Sequence, residues 1–220
     1  AINELALPYE IGSESTGVNQ KRAVQLYRQA ISKEHFAAMY NLADIYERCS
    51  QDLTLLIDYG LDVQIAKNHP DEIRKILIDQ AKCLFSQAAS GGFTPALYRL
   101  GTFAEDERDF EQAIQYYQQA AADLYPPAVN ALGIFITHGL YTGENIGSDV
   151  EFYQKASEMG YAPAIYNYAQ AIELVDLERA VLLYKKIAFG ENAMPQAAYA
   201  LGHIYESMYH DLPNAISCYR

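Results

Sequence analysis

The sequence contains no tryptophan and three cysteines, and it is short of positive charge. There are 16 Lys and Arg against 28 Asp and Glu in 220 residues, a formal net charge of −12. That balance excludes the usual nucleic-acid binder, which needs a basic stripe for phosphates. It also argues against electrostatic docking on an anionic membrane. No apolar run approaches the roughly 18 residues that a membrane-spanning helix requires, so no membrane insertion is expected. Cys49, Cys83 and Cys218 are far apart and form no C-x-x-C pair, so neither a zinc site nor a redox motif is present in sequence. They read as three small half-buried thiols, with one disulfide and one free thiol as the alternative.

Catalytic signatures are equally scarce. His35, His69, His138, His203 and His210 stand in no H-E-x-x-H or other metal-ligand spacing. His203 shares a helical face with Glu206, but one His and one Glu do not make a metal site. There is no G-x-S-x-G elbow, P-loop or G-x-G-x-x-G, and Gly91–Gly92 reads as a helix terminator. Neither an enzyme nor a cofactor is expected. The chain opens at Ala1 without Met and without a basic-then-apolar leader, which reads as a trimmed or processed start. The compartment stays open on this reading, with the cytoplasm slightly favoured over the periplasm or secretion.

What is abundant is tyrosine, 19 residues, within a half-apolar and one-fifth-charged composition typical of a folded chain. The apolar residues repeat. One motif, A-x-x-x-[LY]-[GA] with an aromatic or apolar residue three positions on, occurs as Ala1–Leu5–Ala6–Tyr9 and Ala38–Leu42–Ala43–Tyr46. It recurs as Ala96–Leu100–Gly101–Ala104, Ala128–Leu132–Gly133–Ile136, Ala164–Tyr168–Ala169–Ile172 and Ala197–Leu201–Gly202–Tyr205. A second motif, A-x-x-x-[YF]-x-x-A, alternates with it as Ala23–Tyr27–Ala30, Ala81–Phe85–Ala88, Ala113–Tyr117–Ala120 and Ala180–Tyr184–Ile187. Asp149–Tyr153–Ala156 is a variant copy, and Ala215–Tyr219 a short one. The first ladder advances by 37, 58, 32, 36 and 33 residues, the second by 58, 32, 36, 31 and 35. Two independent ladders with one period, including the same long step, establish a repeat.

Spacings of four and seven place each motif on one helical face. Pro95, Pro127 and Pro163 stand where a helix start tolerates proline, and Gly160 and Gly190 where a left-handed cap wants glycine. Each period is therefore a helix pair, A then B. Gly101, Gly133 and Gly202 allow close helix approach. One pair cannot bury its own apolar face, so neighbours must stack into an α-solenoid.

These motifs resemble the Sel-one-like repeat (SLR) family, relatives of the tetratricopeptide repeat. The segments leading into Gly101, AIQYYQQAA over Ala113 to Ala121, and YQKASEMGYAP over Tyr153 to Pro163 fit its two helices closely. Nearly the whole chain is covered, as about five full repeats with ragged ends, read as a single repeat domain over 1–220. The family's glycine-rich turn survives only around Gly143–Gly147, and its paired cysteines are missing. The resemblance implies an all-α, right-handed superhelical solenoid of antiparallel pairs, acting as an adaptor or scaffold, as do most bacterial and eukaryotic members. The 58-residue step marks an insertion over 48–80. Helix A is expected to run on, a loop to span Gly60 to His69, and a long helix B to start near Asp71.

In such solenoids helix A lines the concave face. Two positions beyond each anchoring Ala stand Tyr40, Tyr98, Asn130, Tyr166 and Tyr199. Six beyond stand Asp44, Thr102, Gln170 and His203, and nine beyond stand Glu47, Glu105, Glu173 and Glu206. A tyrosine row presents rigid amphipathic surface, and a glutamate row attracts basic groups. The expected function is capture of a protein partner, a basic or extended peptide, in this groove. The alternative is an envelope-associated or secreted protein that stacks tyrosines on glycan or peptidoglycan, or binds a host factor. The sequence leaves the oligomeric state open.

Overall fold

A computed structural model describes residues 2–11, 19–61, 69–142, 147–190 and 193–220. Among the described residues there are thirteen α-helices and no strand. They fall into two compact units, Ala1–Asp109 and Phe110–Arg220. The first holds α1 (Ile2–Ile11), α2 (Gln20–Ile31), α3 (Phe36–Gln51), the short α4 (Leu55–Asp58), α5 (Pro70–Ser90) and α6 (Thr94–Asp106). The second holds α7 (Phe110–Ala122), α8 (Pro126–Thr137), α9 (Asp149–Glu158), α10 (Ala162–Ile172), α11 (Leu177–Ala188), α12 (Pro195–Ser207) and α13 (Leu212–Tyr219). The first motif lies on α1, α3, α6, α8, α10 and α12, and the second on α2, α5, α7, α9, α11 and α13. The boundary between units separates α6 from α7, the A and B helices of one sequence repeat.

The two helix types start differently. Four B helices carry a polar side-chain cap. Asn19, Ser148, Asp176 and Asp211 accept from the backbone N–H three residues on, at 3.1, 3.3, 3.1 and 3.2 Å. Helices α6, α8, α10 and α12 instead have proline in the first turn, preceded by Phe93, Tyr125, Tyr161 or Met194 with no side-chain cap. The last alanine of the B motif closes four of the B helices. Ala30, Ala88, Ala120 and Ala156 accept from the N–H of the residue five on, His35, Phe93, Tyr125 and Tyr161, at 3.0–3.3 Å. These are the bonds of a left-handed helix stop, and the residue in left-handed conformation is Glu34, Gly92, Leu124 or Gly160.

The motif residues form the core of each unit. Ala23, Tyr27, Ala81, Phe85, Ala113, Tyr117, Ala180 and Tyr184 are all buried. Gly133 is required by closeness, because a Cβ there would lie 2.7 Å from the ring of Tyr153. Around the insertion, α3 ends at Gln51 and Arg74 of α5 donates to the carbonyls of Ser50 and Gln51, capping α3 from outside. Between them lies α4, a turn of helix that buries Leu56 and, just beyond it, Tyr59. Residues 62–68 of the insertion and 143–146 of the glycine-rich turn lie outside the described residues. The cysteines are all free. Cys49 and Cys218 are buried and Cys83 is exposed, since its position on α5 faces away from the Ala81–Phe85–Ala88 stripe.

Candidate interaction surface

The glutamate row has an internal role that the sequence reading missed. On α1, α8, α10 and α12, position nine faces the aromatic slot of the B helix that follows. Tyr27 donates to Glu10 at 2.7 Å, Tyr184 to Glu173 at 2.9 Å and Tyr219 to Glu206 at 3.0 Å. Thr137 holds position nine on α8, and its hydroxyl is 2.7 Å from that of Tyr153. Where the B-helix slot is Phe85 and no hydroxyl exists, Glu47 pairs with Arg99 instead. In sequence the two ladders are in phase, and tyrosine in one goes with glutamate or threonine in the other, but counting along each helix does not show that the two meet. Burial first, and then the hydrogen bond to Glu173, push the Tyr184 phenol well above its ordinary range, so it stays a donor. Tyr27 is raised in the same way beside Glu10.

The tyrosine row is likewise partly packing. Tyr40 meets Phe85 edge-on at 5.3 Å, Tyr166 meets Tyr184 at 5.8 Å and Tyr199 meets Tyr219 at 5.7 Å. Tyr98 and Thr102 are half-buried on α6, and Glu105 is exposed at its end. Asp44 pairs with Arg48 at 2.9 Å. Two expected surface residues lie inside. Asn130 is only 6% exposed, and its carbonyl accepts from Asn167 at 2.9 Å, tying α8 to α10. The Glu47 side chain is only 15% exposed and its charge is met by Arg99.

Five of the expected residues do come together. Tyr166, Gln170, Glu173, Tyr199 and His203 line one cleft of about 340 Å³ between α10 and α12, with Tyr184 at its base and Ala200 on its wall. Glu206 lies with Tyr199 and Tyr219 on a second, larger cleft of about 870 Å³ between the end of α11, α12 and α13. Glu173 and Glu206 have no Lys or Arg partner among the described residues. No group of three His, Cys, Asp or Glu among those residues could hold a metal ion. No helix among them is long and apolar enough to cross a membrane.

The periodic bond between A-helix carboxylate and B-helix phenol marks a single repeating unit. The Sel1 repeat model matches residues 1–35, 36–48, 94–123, 126–161 and 195–211, more than half the chain. The chain belongs to the Sel1 repeat family. Its fold matches a Sel1 repeat protein from Oxalobacter formigenes with a TM-score of 0.77 at 22% identity, over 99% of this chain and 82% of that one. A protective antigen of uropathogenic Escherichia coli with an SLR fold gives 0.72 at 20% identity, over 99% of this chain and 44% of that one. Among curated proteins, chitin synthase regulatory factor 4 of Schizosaccharomyces pombe is 24% identical over 192 residues, which is 78% of this chain and 27% of that protein. DAP3-binding cell death enhancer 1 of Rattus norvegicus is 36% identical over 87 residues, 39% of this chain and 17% of that protein. The chain thus spans about a quarter or less of these curated relatives. Sel1 repeats generally mediate protein–protein interaction and are typically non-enzymatic.

Proposed function

We propose that this Sel1 repeat chain is an interaction module without chemistry of its own, holding an extended, basic stretch of a protein partner across α10 and α12. One observation carries the reading. The cleft between these helices gathers five residues from three register positions of the repeat, and its carboxylate has no cationic partner among the described residues. Tyr199, 66% exposed, offers a rigid ring that loses little entropy on contact. Gln170 and His203, both exposed, offer hydrogen bonds to an extended backbone. Unit-one carboxylates contribute less, because Glu10, Asp44 and Glu47 already face Arg48 or Arg99.

Photo-crosslinking tests this. A benzophenone amino acid placed at Gln170 or His203 should label one segment of one partner in lysate of the source cells. The same group at Leu182, which is 67% exposed on α11, should not label it. Labelling of the same segment from Leu182, or none from Gln170 and His203, would overturn the reading.

A further inference from the structure

Position nine of the A helices binds guanidinium groups within the chain itself. Glu10 holds two groups at once, one of them a guanidinium. Its Oε2 accepts from the Tyr27 hydroxyl at 2.7 Å, while its Oε1 pairs with the Arg48 guanidinium. That guanidinium lies 5.6 Å from the ring centre of Tyr59. Glu47 pairs with Arg99, whose guanidinium stands 5.9 Å from the Phe85 ring and 6.0 Å from Phe103. Both sites combine a carboxylate with aromatic faces, the arrangement that suits the planar, weakly hydrated guanidinium better than an ammonium.

The cleft between α10 and α12 repeats the Glu47 site in register. Glu173 stands where Glu47 does, Tyr184 where Phe85 does, and Tyr166 where Tyr40 does. The ring pair is preserved, at 5.8 Å for Tyr166–Tyr184 and 5.3 Å for Tyr40–Phe85. One substitution sets the two apart. The register position of Arg99 is Ala200, three beyond the anchoring Ala of the next A helix, and Ala200 lines the cleft. Alanine stands at the register position that arginine holds in the other repeat, and the cleft it lines has a volume of about 340 Å³, near the lower end of the ligand-pocket range of roughly 300–1,000 Å³. The Tyr184 hydroxyl occupies Glu173 Oε2 and leaves Oε1 without a protein donor among the described residues. Glu10 demonstrates that a carboxylate holding a tyrosine hydroxyl this way still takes an arginine on its other oxygen.

We infer that the α10–α12 cleft is an arginine subsite, in which a partner's guanidinium pairs with Glu173 among the rings of Tyr166, Tyr184 and Tyr199, as Arg99 pairs with Glu47. This rests on the groove reading proposed above and names the side chain that the groove selects.

The probe is N-acetyl-L-arginine methylamide, titrated into the full chain carrying ¹³C-methyl alanine and followed by NMR, with the neutral citrulline analogue beside it. The arginine amide should shift the Ala200 methyl saturably, with a dissociation constant in the millimolar range typical of a one-side-chain ligand. The citrulline analogue should bind at least about tenfold more weakly, because it lacks the charge-assisted bond. Glu173→Gln should weaken the arginine amide by a similar factor. In Ala200→Arg the chain fills its own site and binding of the arginine amide, followed through the remaining alanine methyls and the Tyr199 ring, should vanish without a drop in melting temperature. If Ala200→Arg melts early, the Glu173→Gln and citrulline arms decide alone. Equal shifts from the citrulline analogue, undiminished binding by Glu173→Gln, or no saturable shift at roughly 50 mM probe, far above a millimolar constant, would overturn the subsite. Partner crosslinks from Gln170 and His203 that persist in a folded Ala200→Arg would overturn the subsite and leave the groove reading standing. Crosslinks independent of position, with the arginine amide still bound beside Ala200, would do the reverse.

Discussion

At Gly133 and Gly202 the same substitution meets two different neighbours. An alanine Cβ would come within 2.7 Å of the Tyr153 ring at Gly133, and within 2.5 Å of the Tyr219 ring at Gly202. Tyr153 is 6% exposed and its hydroxyl is engaged with Thr137, so it has nowhere to go. Tyr219 is 44% exposed and can swing outward, giving up its bond to Glu206 and its ring contact with Tyr199. Helix propensity favours alanine by about 1 kcal/mol at both positions. Overpacking a fixed core costs roughly 1–3 kcal/mol. Gly133→Ala should therefore lower the thermal midpoint, and Gly202→Ala should leave it within a degree or two or raise it. Equal losses at both would show that the ring of Tyr219 is as fixed as that of Tyr153. The thiols divide on similar grounds. Burial raises the Cys49 thiol to about 11, so little thiolate exists at neutral pH. A maleimide at pH 7.5 should modify exposed Cys83 first and Cys49 only on unfolding, as peptide mapping would show. Helical spacing from Ala81, Phe85 and Ala88 puts Cys83 on the opposite face of α5, whereas Cys49 lies three residues beyond the first motif on α3, where that motif says nothing of its burial.

At the scale of the element, the helix stops carry the next test. Gly92 and Gly160 hold the left-handed stop at φ of 84° and 83°, but Leu124 does the same work at 57°. A leucine in that conformation costs roughly 1–2 kcal/mol, and this one is 59% exposed, so little burial offsets it. Leu124→Gly should stabilise the fold by about 0.5–1 kcal/mol, after the larger chain entropy of glycine is counted. Urea unfolding reads it directly, and a loss of stability would mean the Leu124 side chain packs more than its exposure indicates. The carboxylate–phenol bond that joins helix A to helix B gives a pH test. Tyr27 and Tyr184 have folded-state values raised above the ordinary phenol value of about 10. Their contribution is complete below pH 10 and is lost as pH rises above it, because the unfolded chain releases these protons first. Alkaline destabilisation should set in near pH 10, and Tyr27→Phe with Tyr184→Phe should flatten it. The helices themselves were legible from two periodic motifs, as were the proline starts and glycine stops. The bond between the motifs was not. Counting along each helix gives the face of a residue, but which carboxylate meets which phenol depends on the angle between two helices.

For the whole molecule the question is where the excess negative charge of −12 remains available. Reading position nine as one acidic row treats its members as equal. The structure sorts them by partner: Glu10 and Glu47 are neutralised inside the first unit, while Glu173 and Glu206 face no cation among the described residues of the second. That difference follows from single residues elsewhere, above all Arg99 against Ala200, which a row counted at one offset does not include. It also yields a prediction. Exposed charges act over a screening length of about 10 Å at 0.1 M salt, so capture of the crosslinked basic segment should weaken several-fold between roughly 0.05 and 0.3 M NaCl. Glu173→Gln with Glu206→Gln should reduce both the affinity and its dependence on salt, with the melting temperature little changed. Glu47→Gln should do the opposite. It strands the partly buried Arg99 guanidinium, so it should lower stability by about 1–3 kcal/mol while leaving the salt dependence of capture as in the wild type. Binding isotherms at three salt concentrations for the three proteins separate these outcomes. If Glu47→Gln flattened the salt dependence as much as the second-unit pair does, the attraction would belong to the net charge of the chain and not to the cleft between α10 and α12.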